Sequence, residues 1–118
     1  MTVLNASTIA PINFVVSVLL RRENEMWAAQ CLEYDLAAQG QTISEAKEAF
    51  EKTFVGQIIV DIKSGKQPLE GVQQAPREYW DKFKTAERLM DRKPFYMGED
   101  LPPAYMIRAV ADDLRIGA

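Results

Sequence analysis

From Ile12 to Leu20 every second residue is apolar. Ile12, Phe14, Val16, Val18 and Leu20 share one face, and Asn13, Val15, Ser17, Leu19 and Arg21 share the other. An unbroken apolar face beside a mixed one predicts a strand over 12–21, covered by helices on one side. Arg22-Glu23-Asn24-Glu25 then forms a polar turn, with Asn24 suited to the left-handed region, and 26–33 returns as the second strand of a hairpin. A short third strand is expected over 37–41, with Gly40 marking a bend or bulge.

The period changes after Gln41. Thr42-Ile43-Ser44-Glu45 has the spacing of a capping box, in which the Thr42 hydroxyl accepts from the Glu45 amide and the Glu45 carboxylate reaches back to the Thr42 amide. Ile43, Ala46, Phe50, Phe54, Ile58 and Ile62 then recur at helical spacing, and Gly65 suits a left-handed C-cap, so the helix is expected to run to about Ser64. Val55, Ile59 and Val60 widen its apolar face beyond one stripe, which suggests a second helix or another subunit against it. A loop containing Pro68 and Gly71 leads to a second helix over 76–89, with Pro76 at its first position and Tyr79, Trp80, Phe83, Ala86, Leu89 and Met90 on its apolar side. Residues 93–103 read as irregular, and 105–114 as a last strand with Tyr105, Ile107, Ala109 and Ala111 on one face. The order β-β-β-α-α-β predicts an α+β fold: a small antiparallel sheet with helices packed on one face. The 118 residues make one domain, divided into a flexible 1–11, a core of 12–65 and a C-terminal helix-and-strand extension over 66–118.

Composition narrows the chemistry. Histidine is absent, which removes the commonest general base and metal ligand. The single Cys31 excludes an intrachain disulfide, fits a reducing compartment and reads as a packed thiol within a strand. One cysteine and no histidine leave no ligand set for structural zinc, and the scattered glycines form no phosphate loop, so no cofactor is expected. A net charge of −3 with bases and acids interspersed argues against direct nucleic-acid binding. The longest apolar run is too short for a membrane span, and no basic residue precedes it as in a signal peptide; a cytoplasmic protein is expected. Trp27 and Trp80 read as core aromatics, with a ligand platform as the alternative.

Carboxylates are the remaining candidates for catalysis, because two or three suffice for a magnesium-dependent nuclease. Glu33, Asp35, Asp61, Asp112 and Asp113 qualify by type. A ribonuclease H-like site would need an aspartate on the first strand, where this chain offers only Asn13 and Ser17. Surface acids are therefore the preferred reading of this set, and a nuclease using Glu33, Asp35 and Asp112 a remote one.

The run Trp27-Ala28-Ala29-Gln30-Cys31-Leu32-Glu33-Tyr34-Asp35-Leu36, followed by Gln39-Gly40-Gln41-Thr42 and Glu45-Ala46, is similar to the HicB antitoxin family. The family pattern is a hairpin carrying an aromatic and a cysteine in its second strand. A Gln-Gly-x-Thr turn then enters a helix that opens with Glu-Ala. The resemblance covers about 12–65, and within it Gly40, Thr42 and Glu45 have fold-defining roles. It implies a partial ribonuclease H-like fold without nuclease residues, a homo-oligomer, and binding to a small basic HicA-type toxin whose active site the antitoxin covers. Many relatives add a C-terminal DNA-binding element. This chain departs from them, since after Gly65 it has an aromatic helix and a strand. The expectation is a non-catalytic protein-binding module, with Glu33, Tyr34, Asp35 and Gln39 as partner-binding candidates. The alternative is a stand-alone self-assembling or small-ligand-binding protein.

Overall fold

The computed structural model describes residues 12–90, 93–97 and 107–117. Strands β1 (Ile12–Glu23), β2 (Met26–Cys31) and β3 (Ala37–Gly40) come first, then helices α1 (Ile43–Lys63) and α2 (Arg77–Thr85). Strands β4 (Glu87–Met90), β5 (Lys93–Tyr96) and β6 (Ile107–Ile116) complete the order. The α+β class is as expected, but the sheet is larger than expected and mixed. Its order is β3-β2-β1-β6-β4, with β5 also on β6. β1 pairs antiparallel with β2 and parallel with β6, so a wholly antiparallel sheet is corrected. The N-terminal segment 1–11, the face position of Tyr105 and most of the expected irregular stretch lie outside the described residues; of the part of that stretch that is described, 93–97, residues 93–96 form a strand.

Alternation along β1 places its even-numbered residues under α1. Phe14, Val16, Val18 and Leu20 are buried there with Ala29, Cys31, Ala46, Phe50, Phe54 and Ile58. Phe54 is the hub: its ring meets Phe14, Tyr34 and Phe95 edge-on at centroid distances of 5.7, 6.1 and 5.5 Å. A bulge keeps β6 in phase with this face. Val16 pairs with Ala111 but Ser17 pairs with Asp113, so Asp112 is the extra residue. Ile107, Ala109 and Ala111 face the α1 layer before the bulge, and Leu114 and Ile116 after it.

Helices on one face only is the second correction. Leu19, on the odd-numbered face of β1, packs with Leu32, Ala75 and Phe83 of α2, flanked by Tyr79, Trp80 and Ala86. The sheet is a middle layer with one helix on each face. This explains why Leu19 is buried on a face that otherwise carries Asn13, Ser17, Arg21 and the exposed Val15. α2 is also shorter than expected, and Pro76 is its cap residue, not its first helical one. At Ala86 the backbone turns extended (φ −77°, ψ 153°), and the apolar residue Leu89, expected on the helix, lies in β4 alongside β6. Arg115 secures the junction: it donates to the Phe83 carbonyl at 3.2 Å, lies over the Phe83 ring and is held by Asp113 at 3.0 Å.

α1 is closed at both ends by local chemistry. Thr42 Oγ1 accepts from the Glu45 amide at 3.1 Å. The reciprocal bond is displaced by one residue from the expected box: Glu45 Oε2 accepts from the Gln41 amide at 2.9 Å. At the C-terminus Gly65 is left-handed (φ +76°), the Lys66 amide donates to the Asp61 carbonyl and the Gly65 amide to the Ile62 carbonyl. Asp61, a candidate acid by sequence, faces inward and is 6% exposed. Its carboxylate accepts from the Leu69 amide at 2.7 Å and from Gln57 Nε2 at 2.9 Å. Leu69 is left-handed (φ +61°), an arrangement that costs about 1–2 kcal/mol in a residue with a Cβ. Burial of its side chain and the Asp61 bond offset that cost, and they bring the chain off α1 toward the other face. Asp61→Ala should lower stability by about 2–3 kcal/mol and the melting temperature by about 10 °C. A circular dichroism melt matching that of the unaltered chain would show that the loop is held by something else.

Candidate functional site

The partner-binding candidates cluster where β2 ends and the chain crosses to β3. The Cys31 amide donates to the Leu36 carbonyl at 2.9 Å, closing the loop between them. The segment coming off α1 docks onto the same loop, with Ala75 N to Leu32 O at 2.9 Å and Asp35 N to Gln73 O at 2.7 Å. These bonds fix a rim on which Asp35, Ala37, Gln39, Gln73 and Gln74 are exposed.

Glu33 is turned toward the sheet. Its carboxylate accepts from the Ser17 amide and the Ser17 hydroxyl, both at 2.8 Å. The Ser17 carbonyl meanwhile accepts from Leu32 N at 3.0 Å, so the Glu33 side chain extends the β1–β2 ladder by one rung where β2 leaves it. Tyr34 packs edge-on against Phe14 at 5.6 Å and belongs to the α1 layer. Burial first, then Cys31 and Glu33, raises its hydroxyl above the usual phenol value. Asp35 accepts from Gln30 Nε2, and Gln39 Nε2 donates to Glu23 Oε1 at 2.6 Å. Arg21 beside Glu23 holds that carboxyl below its ordinary range. Two of the four candidates, Glu33 and Tyr34, thus serve the interior. Asp35 and Gln39 remain on the rim beside edge strand β3, where a partner could reach them.

The acids considered for catalysis are dispersed. Glu33 is on Ser17, Asp61 on Leu69, Asp113 on Arg115, and Asp112 sits in the β6 bulge. Among the described residues no three His, Cys, Asp or Glu side chains converge as a metal site would require.

Cys31 is fully buried, as its strand position suggested, and burial pushes its thiol up to about 12. In the unfolded chain the thiol ionises near its ordinary value of 9, so the stability it contributes is complete below about pH 9. That contribution is lost as pH rises from 9 toward 12, because only the unfolded chain then releases the proton. Cys31 should accordingly be inert to a disulfide reagent in the native protein at pH 8 and react in full once denaturant is added. Rapid native labelling would mean that the strand opens locally.

Residue-type reasoning missed a second feature. β6 ends at Ile116, opposite Leu20, while β1 runs on through Arg21, Arg22 and Glu23. The resulting cleft, about 710 Å³, is lined by Leu19, Arg21, Arg22, Trp27, Lys82 and Ile116 among others, and Glu87 is the one acid on its wall among the described residues. Arg22 lies over Trp27 at 5.2 Å, and Arg21 and Lys82 lie over Tyr79 at 4.8 and 5.6 Å. Arg21 is bonded to Glu23 and Gln30 through its terminal nitrogens, while its buried Nε has no acceptor. A chain with net charge −3 thus gathers three cations at one opening. The adjacent Arg21-Arg22 pair was the visible signal; Lys82 arrives from α2, which was not expected on that face.

No family model, curated protein or solved structure matches the chain. Among the described residues no helix is long and apolar enough to cross a membrane.

Proposed function

We propose that this chain is a non-catalytic protein-binding module of the HicB antitoxin kind, acting in the cytoplasm as a homo-oligomer and neutralising a small basic ribonuclease by covering its active site. The observation that carries the reading is the local structure of the motif residues. Trp27 and Cys31 lie on the second strand of the hairpin, Gln39-Gly40 ends β3, Thr42 caps α1, and Ala46 is buried against the sheet. Further support comes from Glu33 and Asp61, which are committed to holding the backbone. A rigid rim carrying Asp35 and Gln39 beside edge strand β3 suits a basic partner. The test is co-expression with the product of an adjacent reading frame for a small basic protein. A complex that suppresses ribonuclease activity supports the reading, and separate elution of the two proteins overturns it.

The cationic cleft favours a second reading, a small-ligand module for anions. Its guanidinium groups and the neighbouring Trp27 suit a phosphate joined to a planar ring. Titration with a nucleoside monophosphate and with inorganic phosphate, followed by tryptophan fluorescence, tests it. An unchanged signal with both removes it.

A further inference from the structure

α1 turns Ala46, Phe50, Phe54, Ile58 and Asp61 to the interior. At about 100° per residue, the opposite line of the helix carries Glu48, Lys52, Gly56, Ile59 and Lys63. A solvent-facing line is ordinarily polar throughout. Here its middle is glycine and isoleucine, both half-buried, flanked by Val60, which is 58% exposed, and by Val55, which packs partly on the core. Gly56 is the more telling residue. It lacks a left-handed backbone, and a Cβ added to it would meet nothing within 4 Å. Glycine inside a helix costs about 0.5–1 kcal/mol relative to alanine. No neighbour within the described chain uses the space this glycine leaves.

We infer that α1 packs antiparallel against α1 of a second copy, the two helices crossing at Gly56. The inference rests on the homo-oligomer part of the proposed function and supplies its interface. A missing Cβ lets two helix backbones approach closely, and Val55, Ile59 and Val60 of both copies then surround the crossing. The charges fix the direction. Glu48 lies about 12 Å along the axis on one side of Gly56 and Lys63 about 10.5 Å on the other, at 1.5 Å per residue. An antiparallel pair therefore sets Glu48 of each copy beside Lys63 of the other, twice by symmetry. A parallel pair would oppose Glu48 to Glu48, Lys52 to Lys52 and Lys63 to Lys63. A single helix crossing lies at the small end of the interface range, so the dimer forms reversibly with concentration.

Sedimentation velocity of the full chain over a concentration series tests this. The unaltered chain should pass from monomer to dimer, whereas Gly56→Leu and Val60→Lys should remain monomeric at every concentration. A Cβ at Gly56 meets nothing within 4 Å and Val60 is exposed in the single chain, so the melting temperatures of both variants in dilute solution should not fall below that of the unaltered chain. Lys63→Glu should weaken association about tenfold through two symmetric like-charge contacts, and adding Glu48→Lys should restore it. An oligomer that persists in Gly56→Leu and Val60→Lys overturns this interface while leaving the oligomer in place. A chain that stays monomeric even at hundreds of micromolar overturns both the interface and the oligomer.

Discussion

Replacing Phe54 with alanine is expected to lower the unfolding free energy by about 3–5 kcal/mol, the cost of removing a fully enclosed aromatic. Its ring is 0% exposed and meets Phe14 from β1, Tyr34 from the β2–β3 loop, Phe50 from α1 itself and Phe95 from β5. One side chain therefore couples the helix to both halves of the sheet. Domains of this size have about 5–15 kcal/mol in all, so the variant should lose a large share of its stability. Urea unfolding followed by circular dichroism measures the loss, and Val60→Ala on the outer side of the same helix should lie within about 0.5 kcal/mol of the unaltered chain. A loss near 1 kcal/mol for Phe54→Ala would mean that the α1 layer repacks around the gap.

Gly40→Ala is expected to be nearly as damaging, for a steric reason. A Cβ at Gly40 would fall 2.7 Å from the carbonyl carbon of Glu45 and closer still to the Ala46 amide nitrogen. Because the obstruction is backbone in the first turn of α1, neither a rotamer change nor a flexible tip relieves it. The helix must shift away from β3, at a cost of about 3 kcal/mol or more. Gly65→Ala makes the contrast: its added Cβ meets nothing, but its φ is +76°, so only the left-handed penalty of about 1 kcal/mol applies. Urea midpoints that ranked Gly65→Ala as the costlier change would remove close approach as the reason for glycine at position 40.

What was legible in the sequence was whatever local chemistry decides. The period-two run, the Asn24 turn (φ +60°), the Thr42 cap and the helical spacing from Ala46 to Ile58 each specify their element without distant neighbours. Elements decided by pairing were not legible. Glu87 and Arg88 have little strand preference, and Pro94 lowers that of β5; both segments are strands because β6 offers them an edge. The second helical layer was signalled by Val15, Leu19 and Leu32, apolar at positions a one-sided sheet would leave polar. At the candidate site, residue type pointed to exposed acids, but type does not report direction. Glu33 turns inward because the Ser17 amide has lost its strand partner there, a fact that appears only once the end of β2 is known. The cleft depends on the same kind of information, since it exists where β6 stops and β1 continues.

The parallel pairing of β1 with β6 also governs when the protein can become itself. β1 is synthesised before its partner β6, which follows roughly a hundred residues later. Until then the hairpin and α1 have one exposed seam, and every contact across it carries a long loop-closure entropy. Folding should accordingly be slow, with the β1–β6 pairing as the contact that limits it.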